Sequence, residues 1–370
     1  MPALSFSPAR SAFAAFTRFA PPPMHLFLRA TGYKLRPPRP QPHVPSITRA
    51  QAEVLGHGVA HLRQRAALLC ERRLGKQPTI VLGGFVPDAT EQVFLLRGFL
   101  LRQGSVYYFN YPRSGFSLDL VCAQLDDLVA ELTARHSQRP VIFGVSFGVG
   151  IALERLRRSR ALGRAPEIAG LLLVSPVACA ADIVTPGQPK PSTLLGRALK
   201  PYLDAGARAD EAVVEKSRAI FAKMFEAGAH NRDALRALMT GNELRRLRES
   251  VLGAIKNIDV TGACERVQSM SLMPPLSAWA PPSPLPWSDA PALVLYAEKE
   301  TAVLAENSPT RAAFESALAA FFPRGELRVV TSRAGNPVQH ASLIFHYFQF
   351  LPHIAGFYRG LKSGKLRLAA

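Results

Sequence analysis

The chain has 370 residues, 48% of them hydrophobic and 19% charged, which is ordinary for a globular enzyme of one large or two modest domains. No apolar run reaches the ~18–20 residues that span a bilayer, and Cys70, Cys122, Cys179 and Cys264 form no C-x-x-C pair, so a membrane-spanning helix, a zinc site and a disulfide framework are not expected. The net charge of +18 favours anionic partners such as lipid headgroups or phosphorylated substrates, although a basic solvated surface explains it equally well.

Residues 1–50 differ in composition from the rest of the chain. They contain ten of the 31 prolines, and no acidic residue precedes Glu53. Proline runs discourage long helices and central strands, so we expect a flexible basic extension. Its first thirty residues resemble a mitochondrial transit peptide, but a disordered basic tail or a true start at Met24 fits equally well. Without such targeting we expect a cytoplasmic protein, or one bound peripherally to an anionic membrane surface.

A helical pattern follows from about residue 50 to 74, with Leu55, Leu62 and Leu69 on one side. His57 and His61 lie four residues apart on this predicted helix, a spacing that can bind a metal. No third ligand stands near them in the sequence, so we expect a surface or core pair and no metal.

Short apolar runs then alternate with amphipathic stretches. The predicted strands are 79–82, 106–109, 141–145, 171–175, 292–296 and 327–331, and the predicted helices between them are 91–101, 118–135, 148–160 and 311–322. Continuous apolar strands separated by helices predict an α/β fold with a mostly parallel sheet covered on both faces. In such sheets the functional site lies at the carboxyl ends of the strands.

The turn at residues 144–148 has the pattern G-x-S-x-G, directly between a predicted strand and a predicted helix. This context is typical of a nucleophile elbow, a sharp turn that exposes a serine hydroxyl above the sheet. Gly144 and Gly148 leave room for the turn because they have no Cβ. We therefore expect Ser146 to be a nucleophile.

A serine nucleophile needs two backbone N–H groups that stabilise the oxyanion. One is expected from Phe147, which follows the serine and opens the next helix. The loop after strand 79–82 begins with Gly83 and Gly84, whose small size lets the backbone approach a substrate, so Phe85 is the second expected donor.

The alternation is interrupted at 179–289, where we predict helices at about 193–206, 209–228, 231–240 and 242–257 and then a proline-rich return. This insertion is expected to be a helical cap that covers the site and shapes an acyl pocket. A packed helical subdomain without a part in binding is the alternative. The remaining segments, 51–178 and 290–362, form the predicted core.

The base and the acid of a serine site are expected after the last two strands. His340 follows the last predicted strand and precedes a helical run, so we expect it to be the base. Glu300 lies where the chain leaves strand 292–296 and is the favoured acid. Glu298, two residues nearer the strand, and Asp182, after the preceding strand, are the alternatives.

These segments together resemble the α/β-hydrolase superfamily over about residues 77–355. The motifs that carry the resemblance are the Gly83–Phe85 loop, the segment 110–117, the Ser146 elbow, the 298–300 turn and the run that starts at His340. The resemblance implies a helical cap after the sixth strand, hydrolysis through an acyl-enzyme and no cofactor. Here Gly83 stands where the family often has histidine, and Asn110 where it usually has aspartate.

The sequence therefore predicts a serine esterase that cleaves a carboxylic ester of a small or lipid-like acyl substrate with Ser146, His340 and Glu300. A thioesterase or acyltransferase of the same fold is one alternative. A basic membrane- or partner-binding protein without activity is the other. Nucleic acid is not an expected partner, because no basic stretch is interleaved with aromatic residues.

Overall fold

A computed structural model describes residues 40–56, 63–73, 77–136, 138–205, 210–228, 235, 239–276, 285–332 and 336–363. Its centre is an eight-stranded sheet. The strands are β1 (Gln41–Pro42), β2 (Ala67–Glu71), β3 (Thr79–Leu82), β4 (Val106–Asn110), β5 (Val141–Val145), β6 (Gly170–Val174), β7 (Ala292–Ala297) and β8 (Gly325–Val330).

The strand order across the sheet is β1-β2-β4-β3-β5-β6-β7-β8. The six strands β3 to β8 run parallel to one another. Strand β2 pairs antiparallel with both β1 and β4. The prediction of a mostly parallel sheet is confirmed, and the six predicted strands match β3 to β8 to within two residues. All carboxyl ends of the parallel strands meet at one edge, which places the loops after β3, β5, β7 and β8 together.

Helices cover both faces of this sheet. The helices are α1 (Arg49–Leu55), α2 (Ala89–Gln92), α3 (Arg97–Gln103), α4 (Leu118–His136), α5 (Phe147–Ala161), α6 (Leu194–Ala205), α7 (Glu211–Gly228), α8 (Gly241–Lys256), α9 (Val260–Leu272), α10 (Pro309–Phe321) and α11 (Tyr347–Ser363). Successive strand residues contribute to opposite cores because side chains alternate across a strand. On β5, Ile142 packs in the core that contains Leu153 of α5, and Phe143 packs in the core that contains Phe350 of α11.

The predicted helix at 50–74 is wrong in its second half. Helix α1 ends at Leu55, and residues 67–71 form strand β2 instead. Leu68 and Cys70 are buried in one core, while Leu69 packs against the other, so this short run fits the two-residue period of a strand. Pairing with β4 decided the conformation, because the five-residue apolar run 66–70 is compatible with either period. His57 and His61 lie outside the described residues.

The predicted boundary at residue 50 also differs from the structure. Strand β1 pairs with β2, and the His43 N–H donates to the Leu68 carbonyl at 2.8 Å. The Ser46 and Ala50 amides donate to the carboxylates of Glu131 and Asp127 on α4. Residues 40–50 therefore belong to the sheet domain, because their backbone donors have partners there. Residues 1–39 lie outside the described part of the chain.

The segment between β6 and β7 contains helices α6 to α9. Three of them match predicted helices, and most of predicted helix 231–240 lies outside the described residues. Helix α9 was not predicted. It packs in the main core through Cys264, Val267 and Met270, whereas Val251 and Ile255 of α8 belong to a separate cluster with Ile344 and Phe345. Within the described residues, no helix is long and apolar enough to cross a membrane.

Candidate active site

The backbone at Ser146 makes a sharp turn between β5 and α5. Ser146 has φ 51° and ψ −118°, a conformation that few non-glycine residues adopt. A Cβ on Gly144 would lie 2.9 Å from the Cα of Val149, and one on Gly148 would collide with the Leu82 carbonyl oxygen. Both glycines are therefore required by contacts of this turn.

The side chains of Ser146, His340 and Glu300 form one hydrogen-bonded chain. His340 Nε2 lies 2.9 Å from Ser146 Oγ, and His340 Nδ1 forms a short hydrogen bond with Glu300 Oε2. Because a carboxylate can only accept, the imidazole proton lies on Nδ1, and the lone pair of Nε2 faces the serine hydroxyl. The structure thus brings together the favoured nucleophile, base and acid of the sequence analysis from the ends of β5, β8 and β7.

The carboxylate of Glu300 is almost fully buried, at 3% exposure, and both of its oxygens have donors. Oε1 accepts from the Ala297 N–H at 2.7 Å and from the Ser175 hydroxyl at 2.8 Å. A buried carboxylate without such donors is costly, so these bonds hold it in place as an acceptor. Ser175 was not identified from the sequence.

The two alternative acids lie elsewhere. Glu298 is exposed and accepts from the Ser332 N–H at 3.2 Å. Asp182 is fully buried, but its oxygens accept from Ala178, Cys179, Ser308 and Thr310. Asp182 therefore fastens the loop after β6 to the start of α10, and the structure brings neither residue to the imidazole of His340.

The two expected oxyanion donors lie beside the serine. A Cβ on Gly84 would lie 3.4 Å from the Cβ of Ser146, so the loop after β3 passes close to the hydroxyl. The rings of Phe85 and Phe147 are in edge contact, with centroids 5.7 Å apart. Neither the Phe85 nor the Phe147 N–H has a protein acceptor among the described residues.

Two residues that the sequence analysis missed hold the loop after β3. Gln92 Oε1 accepts from the Gly84 N–H at 2.6 Å. Arg266 of α9 donates to the carbonyls of Phe85, Tyr111 and Pro112 at 2.8–3.2 Å. Burial and, to a lesser extent, the nearby charge of Arg113 lower the pKa of this guanidinium to about 10. No local pattern marks either residue, because their partners are backbone atoms distant in sequence.

A cavity of about 190 Å³ opens above Ser146 and His340. Its walls are mostly apolar, and one side comes from three helices of the insertion: Leu194 and Leu195 of α6, Phe221, Met224 and Phe225 of α7, and Val251 and Ile255 of α8. Phe85, Ile344 and Phe345 are among the apolar residues that line it from the sheet side. The arrangement can hold an apolar group within reach of the serine.

The polar part of the cavity wall includes Gln92 and Ser342. The hydroxyl of Ser342 lies 2.8 Å from Nδ1 of His346, which is buried behind it. Burial lowers the pKa of His346 below its ordinary value of 6.5. In the described residues, no group of three or more His, Cys, Asp or Glu side chains is arranged to bind a metal ion.

Comparison with solved structures identifies the fold. A thermophilic esterase from Thermogutta terrifontis matches 80% of this chain and 94% of its own, with a TM-score of 0.54 and 16% identity. A bacterial membrane phospholipase A matches 96% of each chain (TM-score 0.54, 14% identity). An epoxide hydrolase from Bacillus megaterium matches 80% of this chain and 97% of its own (TM-score 0.55, 9% identity).

No protein-family model and no curated protein matches the sequence significantly. The structural matches, at these low identities, show the fold alone. The eight-stranded sheet with helices on both faces is the α/β-hydrolase fold, as the sequence resemblance implied.

Proposed function

We propose that this protein is a serine hydrolase that cleaves a carboxylic ester through an acyl-enzyme. The observation that carries the proposal is the hydrogen-bonded chain from Ser146 Oγ through His340 to Glu300. A serine hydroxyl is a weak nucleophile unless a base takes its proton, and a buried carboxylate on the far side of the imidazole favours that transfer. Esterases among proteins of the same fold support ester chemistry.

In the proposed reaction, His340 Nε2 takes the proton of Ser146 as Oγ bonds to the acyl carbon. The tetrahedral oxyanion accepts hydrogen bonds from the N–H groups of Phe85 and Phe147. The bond to the leaving alcohol then breaks, and His340 returns the proton to that oxygen. Water, deprotonated by His340, then attacks the acyl carbon of the acyl-enzyme. The bond from that carbon to Ser146 Oγ breaks, His340 returns the proton to Oγ, and the acid is released. Glu300 stabilises the imidazolium in both half-reactions.

The apolar cavity supports an acyl group as the buried part of the substrate. Helices α6, α7 and α8 act as a cap in this proposal, since they supply one apolar side of its wall. The membrane phospholipase A that shares the fold makes a lipid ester a reasonable member of the substrate panel. A thioesterase or acyltransferase would use the same three residues, and the leaving group or acceptor distinguishes them.

The basic net charge motivates a further part of the proposal, binding to an anionic membrane surface. Such binding would concentrate the protein near lipid substrates. It would equally suit a binding protein without activity, so the chemistry must be tested first.

A fluorophosphonate probe tests the proposed chemistry directly. We expect the folded protein to be labelled at Ser146, and Ser146→Ala to remain unlabelled. Labelling at another residue, or none in folded protein, would contradict a serine hydrolase and favour a binding role. A panel of oxygen esters and thioesters that share one acyl chain then identifies the preferred leaving group.

A further inference from the structure

The hydroxyl of Ser175 lies between the candidate acid and the loop that carries the candidate base. Ser175 follows the end of β6 and is fully buried. Its hydroxyl donates to Glu300 Oε1 at 2.8 Å, and its Oγ accepts from the Ala341 N–H at 2.9 Å. A carboxylate oxygen only accepts and an amide only donates, so the directions of both bonds are settled.

The backbone at Ser175 suits glycine better than serine. Its φ is 47°, in the left-handed region where a Cβ is sterically unfavourable. The Ser175 N–H donates to the Leu295 carbonyl at 2.7 Å, which extends the pairing of β6 with β7 and holds this conformation. Glycine would adopt it without the steric cost. Compared with glycine, serine adds a Cβ, which carries the steric cost, and a hydroxyl, which forms the two hydrogen bonds.

One hydroxyl therefore bonds the carboxylate of Glu300 and the backbone of the residue that follows His340. On the acid, its bond and that of the Ala297 N–H occupy Oε1 and turn Oε2 towards His340. On the base, it anchors the amide of Ala341, the next residue after His340. Strained backbone retained together with specific hydrogen bonds is a feature of functional sites.

We propose that Ser175 is a positioning residue for His340 and Glu300, a role that rests on the proposed serine hydrolase function. Its hydroxyl holds the Glu300 carboxylate and the His340 imidazole at hydrogen-bond distance from each other. Removal of the hydroxyl should therefore slow the chemical step and leave substrate binding unchanged. The serine itself stays outside the reaction, since its proton is held by Glu300.

Three variants separate this role from a contribution to folding. Ser175→Ala removes the hydroxyl and keeps the Cβ, while Ser175→Gly removes the hydroxyl and relieves the backbone. Ser105→Ala is the matched control, because this buried serine accepts from the Arg73 N–H at 2.8 Å and donates to the Arg73 carbonyl at 3.1 Å. Ser105 directly precedes β4 at the amino ends of the parallel strands. Ser146 lies at their carboxyl ends, on the opposite side of the sheet.

For each variant we would measure Tm, kcat and KM with p-nitrophenyl acetate, and the rate of labelling by a fluorophosphonate. We expect Ser105→Ala to lower Tm with unchanged kcat. Ser175→Ala should lower kcat and the labelling rate by about 10- to 100-fold at unchanged KM, since small misplacements of reacting groups have effects of this order. Ser175→Gly should have a higher Tm than Ser175→Ala and an equally low kcat.

The inference would be overturned if Ser175→Gly regained both the Tm and the kcat of the unmodified protein. The loss of kcat in Ser175→Ala would then result from its lower stability. A loss of less than about twofold in kcat for Ser175→Ala would overturn it as well. If the unmodified protein neither turns over the ester above the level of Ser146→Ala nor labels at Ser146, the proposed function fails and this inference with it. If only the inference about Ser175 is wrong, the unmodified protein is still an active enzyme. The two results are therefore distinguishable.

Discussion

Two regions meet at the cavity and are built from different interactions. The loops after β5, β7 and β8 supply Ser146, Glu300 and His340, which are joined by directional hydrogen bonds. Helices α6, α7 and α8 of the insertion supply mainly apolar side chains. Hydrogen-bonded polar groups tolerate little displacement, whereas apolar walls tolerate changes of similar volume. Changes in the loops should therefore affect the rate, and changes in the helices should affect the choice of substrate.

Helix α9 belongs with the loops although it lies within the insertion. Arg266 donates to the carbonyl of Phe85, whose N–H is a proposed oxyanion donor. Gly262 lies against the Arg113 carbonyl so closely that a Cβ there would collide with it. Helix α9 therefore packs with the insertion helix α6 and also holds the loops after β3 and β4.

The largest expected effect is that of Ser146→Ala, which removes the proposed nucleophile and nothing else of the turn. Turnover should fall by about 10³-fold or more, because loss of a triad member leaves only binding and oxyanion stabilisation. Ester hydrolysis by the purified variant is the measurement, with circular dichroism as the control for folding. Near-normal turnover in this variant would show that the loops do not hold the nucleophile.

The second prediction separates the two glutamates after β7. Glu300→Gln should lower kcat by about 10³- to 10⁴-fold, since an amide no longer holds the proton on Nδ1 of His340. Glu298→Gln, two residues away and exposed, is the matched control and should change kcat by less than about tenfold. Equal losses in both variants would contradict the assignment of the acid.

The third prediction concerns the insertion. Phe225 lines the cavity and packs on Phe345, with ring centroids 5.5 Å apart, so Phe225→Ala should lengthen the acyl pocket. The ratio of kcat/KM for an octanoate ester to that for an acetate ester should rise about tenfold, as expected for apolar contacts. Phe348→Ala is the control, because this ring is 52% exposed and does not line the cavity. An unchanged ratio would assign the acyl group to another surface.

The fourth prediction is a pH dependence of stability. Burial lowers the pKa of His346 in the folded state, while the unfolded value stays near 6.5. Between those two values the unfolded chain binds more protons, so the free energy of unfolding should fall as the pH decreases below about 6.5 and stay constant above it. His346→Gln should reduce this fall.

Urea unfolding of both proteins at pH about 7.5 and about 5 gives the required difference. His353 is a second contributor, because burial lowers its pKa as well. The His353→Gln variant should therefore also be measured. If the free energy of unfolding decreases by the same amount at low pH in all three proteins, groups other than these two histidines cause the decrease.

The smallest expected effect on activity is that of deleting residues 2–39, which precede the part of the chain docked on β2. Hydrolysis of a water-soluble ester should be unchanged, because every proposed catalytic residue lies after residue 77. Sedimentation with phosphatidylserine vesicles should weaken and depend on salt, since the deleted segment holds six basic residues and no acidic one. Phosphatidylcholine vesicles are the control, and equal sedimentation of both proteins would exclude a membrane role for this segment.

The sequence alone determined the six parallel strands of the sheet and the serine turn. Continuous apolar strands such as 141–145 are buried on both faces, so local composition was sufficient to place them. Gly144 and Gly148 mark the turn at Ser146 because only glycine fits there, a requirement visible in the five-residue pattern itself. His340 and Glu300 could be nominated from their positions after successive strands.

Tertiary structure decided the rest. Strand β2 was predicted as helix because its run of apolar residues allows both periods until β4 provides a hydrogen-bonding partner. The choice between Glu298 and Glu300 depended on which carboxylate reaches His340, and that follows from the pairing of β7 with β8 and from the hydroxyl of Ser175. Ser175, Gln92 and Arg266 had no local signal, because each acts through partners that only folding brings within hydrogen-bond distance.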